Sequence, residues 1–167
     1  MEELIGTLEQ ETAIYEKLVP LSTRKTQVII NNELPSLQEI TDQEQDMLQE
    51  ITSLEHKRRK ILENVGIVLN KDPKTLTIKE LIRILDKQPE EQRKLCLVHD
   101  NLSKSVHELV RINSHNESLI QQSLEMIEFN MNFIQSTWMS PGSNNYTKGA
   151  ANADVPSVQT RMFDAKQ

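Results

Sequence analysis

The stretch Leu37-Gln-Glu-Ile40-Thr-Asp-Gln-Glu44-Gln-Asp-Met47-Leu-Gln-Glu-Ile51-Thr-Ser-Leu54-Glu-His-Lys-Arg58-Arg-Lys-Ile61-Leu-Glu-Asn-Val65-Gly-Ile-Val68 decides the fold. Positions 37, 40, 44, 47, 51, 54, 58, 61, 65 and 68 keep a strict heptad, and only Glu44 and Arg58 among them are not apolar. A 3.5-residue period holds one stripe of a helix against a partner helix over many turns. At 1.5 Å per residue the stretch predicts a rod of about 50 Å. Such a rod cannot bury its stripe alone, so a neighbour of similar length must lie beside it. Polar residues at seam positions set register or pair across the bundle, which is the reading for Glu44 and Arg58.

N-terminal to this rod, Asn31-Asn32-Glu33-Leu34-Pro35 gathers turn formers, and Ser36 to Glu39 fits a capping box that would open the rod. Residues 1 to 30 place Met1, Leu4, Leu8, Tyr15, Leu18 and Ile29 at three- and four-residue steps or multiples of them, with Ile5 and Val19 widening the stripe. That is a second long helix. Pro20 lies inside it and predicts a kink or a split, because proline lacks the N–H and its ring clashes with the carbonyl of Glu16.

C-terminal to the rod, residues 70 to 76 read as a loop, and Thr77 to Glu80 as a capping box opening a short helix with Ile78, Leu81, Ile82 and Leu85 inward. Pro89 suits the first turn of the next helix. This last helix carries heptad positions Leu95, Val98, Leu102, Leu109, Ile112, Leu119, Met126 and Phe133, interrupted by Ser105, Asn116, Ser123 and Asn130. A flanking column of Val106, Ile120, Ile127 and Ile134 broadens its apolar face toward the C-terminus.

After Trp138, Ser140-Pro141-Gly142-Ser143-Asn144-Asn145 breaks the helical pattern, and the remaining residues have no helical period. Residues 1–137 are expected to form a helical bundle domain and 138–167 a C-terminal tail, flexible or ordered by docking. Trp138, Tyr146 and Phe163 are half of the six aromatic residues of the chain, more anchor than a merely solvating tail needs. The fold class expected is therefore all-α: an antiparallel bundle of three long coiled-coil-like helices plus one short helix, with an irregular C-terminal tail.

Composition narrows the function. Four glycines and six prolines in 167 residues disfavour a many-stranded sheet. A formal charge of −6 argues against non-specific attraction to nucleic acid or anionic lipid. No apolar run approaches the roughly 20 residues of a membrane span. Met1-Glu2-Glu3 is unlike the basic start of a secretory signal. Cys96 is the sole cysteine, so it has no disulfide partner within the chain. These features predict a cytoplasmic protein with no membrane insertion and no nucleic-acid partner. His99, His107 and His115 recur every eight residues, whereas two helical ligands of one metal ion sit four apart. The run His56-Lys57-Arg58-Arg59-Lys60 lacks interleaved aromatics and reads as a solvated helix face with Glu55 and Glu63 as partners. Cys96, between Leu95 and Leu97, reads as a small packed residue rather than a nucleophile. With no phosphate loop and no catalytic triad motif, the chain is read as a non-catalytic protein-binding protein without cofactor or metal.

Three blocks carry a resemblance. Glu44-Gln-Asp-Met-Leu-Gln-Glu-Ile-Thr-Ser-Leu-Glu-His-Lys-Arg-Arg59 has an acidic-Gln pair, leucines, then Leu-Glu and a basic pair; Asn116-Glu-Ser-Leu119-Ile120-Gln-Gln-Ser123-Leu124-Glu-Met-Ile127 follows an Asn-x-x-Leu-Leu-x-x-Ser-Leu pattern; and the tail holds Tyr146, Gly149 and a closing Met162-Phe163-Asp164-Ala165-Lys166. Together they resemble the FlgN family of flagellar type III export chaperones. The resemblance implies a cytosolic chaperone that binds the C-terminal amphipathic helices of the hook-filament junction proteins FlgK and FlgL, prevents their premature assembly and delivers them to the flagellar export gate.

Two apolar columns on the C-terminal half of the last helix exceed what one bundle seam requires. The expected client surface is Ile120, Leu124, Ile127, Met131 and Ile134, with Trp138 and Phe163 as anchors and Tyr146 assigned to docking at the gate. Met126 and Met131 suit a surface that repacks around more than one client. The alternative is a non-catalytic coiled-coil scaffold that uses the same seams as a homodimer interface.

Overall fold

The computed structural model describes residues 1–72 and 76–138. Four α-helices follow one another: α1 over Glu2–Ile30, α2 over Leu34–Val68, the short α3 over Ile78–Ile84, and α4 over Pro89–Trp138. A single 3₁₀ turn, Leu85–Lys87, joins the last two. Chain packing divides after Asn130. The bundle described next lies within Met1–Asn130, and Met131–Trp138 are described by themselves.

Both long helices of the first hairpin stop in the same way. After α1, Asn32 adopts φ 56°, and its N–H reaches the carbonyl of Ile29 at 3.1 Å while that of Glu33 reaches Val28 at 3.0 Å. After α2, Asn70 at φ 53° bonds Ile67 at 3.1 Å, and Lys71 bonds Gly66 at 2.9 Å. These are Schellman closures, with asparagine supplying the left-handed residue that the motif needs and that few non-glycine residues tolerate. The helix starts are less uniform. Thr77 and Glu80 form the expected capping box, with each side chain on the other's backbone N–H at 3.2 and 3.0 Å. Ser36 does not cap α2, which begins two residues earlier behind Glu33, and Pro35 takes a first-turn position where its missing N–H costs nothing. Pro20 does not split α1, which runs unbroken through it. It sits on the exposed face, as does Glu16, the residue whose carbonyl it leaves unbonded.

α1 and α2 pack as an antiparallel hairpin with α4 alongside. One core cluster joins Leu4 and Leu8 of α1 to Leu81 and Leu85 and to Leu95, Val98 and Leu102 of α4, with Ile61, Leu62 and Val65 of α2 against it. α3 closes this end of the bundle, and Gln92 of α4 ties to it by donating from Nε2 to the Ile82 carbonyl at 2.7 Å. A second cluster unites Ile14, Leu18, Ile51 and Leu109. The heptad stripe of α2 faces inward as its period requires: of its ten positions, only Val68 at the helix end is exposed.

Polar contacts set the register between these clusters. Arg58 Nη1 lies 2.7 Å from Glu11 Oε2, and Lys25 Nζ lies 2.7 Å from Glu44 Oε2. Glu11 and Lys25 are separated along α1 by the same two heptads that separate Glu44 and Arg58 along α2, so the two ion pairs fix one and the same alignment. Ser22 adds a hydroxyl bond to Glu44 Oε1 at 2.9 Å. Asn116, which interrupts the α4 stripe, is 3 % exposed; it donates to the Ser22 carbonyl at 3.0 Å and accepts from the Thr26 hydroxyl at 2.6 Å. Ser22, Thr26, Lys25, Glu44 and Asn116 therefore make one polar layer that ties all three long helices together.

Candidate functional site

Asn116 is the last buried residue of α4. The reason lies in the lengths: α4 has 50 residues against 29 for α1 and 35 for α2. Pairing of Leu4 and Leu8 with Leu95 and Val98, and of Ser22 with Asn116, uses up most of α1 by the time α4 reaches its eighth turn. Beyond that level only the last turn of α1 and the first turn of α2 remain to share its stripe.

The hairpin tip and α4 meet in an apolar groove of about 140 Å³. Val28 and Ile29 from the end of α1, Leu34 and Leu37 from the start of α2, and Ile120, Leu124 and Ile127 from α4 line it, with Asn32, Glu33 and Ser123 at its edge. Val28 and Ile29 are buried beneath it, whereas Leu34 is exposed and Ile120, Leu124 and Ile127 are 36, 51 and 57 % exposed. Turn residues are normally polar. Here Ile30 and Leu34 stand exposed on either side of Asn31-Asn32.

Ile120, Leu124 and Ile127 were thus expected on sequence grounds and are brought together; the hairpin-tip residues opposite them were not. Their signal was apolar side chains at a turn, which helical periodicity does not score. Met126, read both as a heptad position and as part of the client surface, is exposed, as is Phe129. Phe133, read as a heptad position, is exposed within Met131–Trp138. In Met131–Trp138, taken by itself, every residue is exposed, including Met131, Ile134 and Trp138. Tyr146 and Phe163 lie outside the described residues.

The side chains that might have carried chemistry are otherwise engaged. Asp100 beside Cys96 pushes its thiol pKa up, aided by partial desolvation, the opposite of what a nucleophile needs. His107 Nδ1 rests 2.6 Å from the Ser103 carbonyl and His99 Nδ1 3.1 Å from Asp100. Within the basic run, Arg58 turns inward to Glu11, with Glu55 3.8 Å away, while Lys57, Arg59 and Lys60 are solvated. No cluster of three or more potential metal ligands occurs among the described residues, and no helix there is long and apolar enough to cross a membrane.

The described residues are helical and leave apolar side chains exposed along the last helix. The family model described as FlgN protein matches residues 1–154. The chain belongs to the FlgN family. FlgN proteins are cytoplasmic, non-catalytic export chaperones of the flagellum, and their clients are the hook-associated proteins FlgK and FlgL. Neither a curated protein nor a solved structure matches the chain. The FlgN match takes in the hairpin, α4 and the groove between them, so the site belongs to the part of the chain that the family defines.

Proposed function

We propose that this FlgN-family chaperone captures the C-terminal amphipathic helices of FlgK and FlgL on the C-terminal half of α4. The surface is Ile120, Leu124 and Ile127; Met131, Ile134 and Trp138 are assigned to it by their spacing in the sequence, and Phe163 of the tail is a further anchor. The observation that carries this reading is the exposure of Ile120, Leu124 and Ile127: they have the spacing of a buried helix face, and the hairpin tip lines the groove beside them without covering them. A helix laid on such a strip shields apolar positions that would otherwise drive the client's self-association, by the helix-in-groove mode of recognition. A patch of about 800 Å² per partner supports micromolar to nanomolar affinity, tight enough to hold the client and loose enough to release it. Delivery follows at the export gate, where Tyr146 is the docking residue.

Calorimetric titration of the full chain with the C-terminal segments of FlgK and FlgL tests the surface. Leu124→Ser combined with Ile127→Ser is expected to weaken binding at least about tenfold, since each anchor in an interface centre contributes about 1–2 kcal/mol. Unchanged affinity in that variant removes the proposed face. Trp138→Ala with Phe163→Ala tests the anchors separately, with the same direction expected. For the gate, Tyr146→Ala should keep client affinity and lower export of FlgK and FlgL; normal export counts against that role. A homodimer on the same strip is the competing reading, and light scattering with and without client separates them, because a dimer that ignores the client segments favours the scaffold.

A further inference from the structure

The charges around the groove define the helix that fits it. Between Asn31 and His56 the chain has seven carboxylates and no lysine or arginine, and between Ile112 and Trp138 it has three carboxylates and, apart from His115, no basic residue. The nearest bases on the partner helix are Arg24 and Lys25, and Lys25 is taken by Glu44. Arg111, just before the α4 segment, is taken by Glu108 at 2.7 Å. Glu33 lines the groove beside Leu34 and Leu37. On α4, Glu117 precedes Ile120 by three residues and Glu128 follows Leu124 by four, so both stand within one turn of the groove residues on a neighbouring face. Glu33, Glu117 and Glu128 are all exposed, and none forms an ion pair among the described residues. Carboxylates without an ion pair therefore stand at the hairpin-tip edge of the groove, where Glu33 Oε1 accepts from Asn31 Nδ2 at 3.0 Å, and along α4 within one turn of the groove residues. Its volume, about 140 Å³, is close to that of a cavity that takes a benzene ring, about 150 Å³. That is room for about one large apolar side chain of a docked helix.

We propose that the groove takes an amphipathic helix whose apolar stripe is flanked by lysine or arginine, and that the carboxylate rim rejects helices with acidic flanks. A second copy of this chain is a poor occupant, because joining two such tips sets carboxylate rims against each other. The rim also steers a basic helix toward the groove before contact, an effect that salt screens. This selectivity rests on the client-binding role proposed for the same face.

The test uses the full-length chain and two synthetic helices of about 20 residues. They share a leucine stripe at three- and four-residue spacing and differ only in carrying lysine or glutamate at the flanking positions. Fluorescence anisotropy at low salt should show the lysine helix binding about tenfold or more tighter, as three exposed charge pairs acting together would give. The difference should shrink several-fold when salt is raised to about 0.5 M. The variant Glu33→Gln/Glu117→Gln/Glu128→Gln, which changes only exposed side chains, should bring the lysine helix down to the affinity of the glutamate helix without moving the melting transition. Equal affinities for the two helices, or a triple variant with undiminished preference, overturn the proposal. So does a concentration-dependent dimer, seen by sedimentation, that the lysine helix competes away. If the FlgK and FlgL segments bind while the two synthetic helices do not differ, charge selection alone is lost; if none of the four binds, the client face is lost with it.

Discussion

Glu11 occupies the most demanding position of any charged residue in the bundle. Its side chain is 1 % exposed, Oε2 meets Arg58, and Oε1 has no hydrogen-bond partner among the described residues. Burial raises its carboxyl pKa above the ordinary value; Arg58 opposes that shift and Glu55 adds to it. The native state consequently holds a proton in the window just above the ordinary carboxylate pKa, where the unfolded chain has released it. In that window stability falls as pH rises, and the Glu11 contribution is fully present only below the unfolded value. Denaturant melts across that range should show a slope of that sign, and Glu11→Gln should flatten it. Arg58→Met alone leaves a buried carboxylate unpaired and should cost about 3–5 kcal/mol at neutral pH, whereas Glu11→Leu/Arg58→Met should recover most of that loss. A double variant no more stable than the single one would show that the pair contributes more than its mutual neutralisation. The sequence marked Arg58 and Glu44 as charges in a seam, because their own helix has a period. It did not mark Glu11 or Lys25 as their partners, since pairing depends on the alignment of two helices, which neither period contains.

At the scale of elements, the long-range pattern was readable and the local punctuation only partly so. The heptad of α2 gave a rod with its stripe inward, the apolar steps of α1 and α4 gave its neighbours, and Thr77 with Glu80 gave the start of α3. Ser36 with Glu39 has the same capping spelling, yet Leu34 and Pro35 already have helical geometry, so the helix starts before the box. A spelling specifies which bonds can form; the chain entering from the Asn32 turn decides where the helix begins. Asn116 read as an interruption of the α4 stripe and is instead the hydrogen-bonded centre of the three-helix layer. A buried polar residue of this kind trades stability for alignment. Asn116→Leu should therefore keep or raise the melting temperature. Hydrogen exchange of α4 near this level should quicken, because the apolar replacement accepts neighbouring registers. A fall in melting temperature of several degrees with unchanged exchange elsewhere would assign the layer to stability alone.

At the scale of the molecule, apolar residues do two separate tasks, and the division is visible in where α4 loses its neighbours. Up to Asn116 its stripe belongs to the core clusters that hold the bundle together; past Asn116 the spacing continues, but Leu119 is only half-buried and Ile120, Leu124, Met126 and Ile127 are exposed. Periodicity alone cannot distinguish the two, because a helix face prepared for a client has the same spacing as one prepared for the chain's own core. What distinguishes them is the length of the hairpin, fixed by Asn31 and Asn32 far away in sequence. The two tasks should separate in one calorimetric experiment. A ligand that binds only the folded state stabilises it by about 2.7 kcal/mol at a hundredfold excess over its dissociation constant. For a chain of this size each kcal/mol raises the melting temperature by about 2–4 °C, so the FlgK or FlgL segment should raise it by about 5–10 °C. Leu124→Ser/Ile127→Ser removes exposed side chains, so the client-free chain should melt within about 2 °C of the original, in line with surface substitutions generally. The same variant should lose most of the client-induced rise. If instead the client-free transition drops by many degrees, those residues belong to the core and the strip is not a reserved surface. If the rise persists at full size, the client rests elsewhere on the bundle.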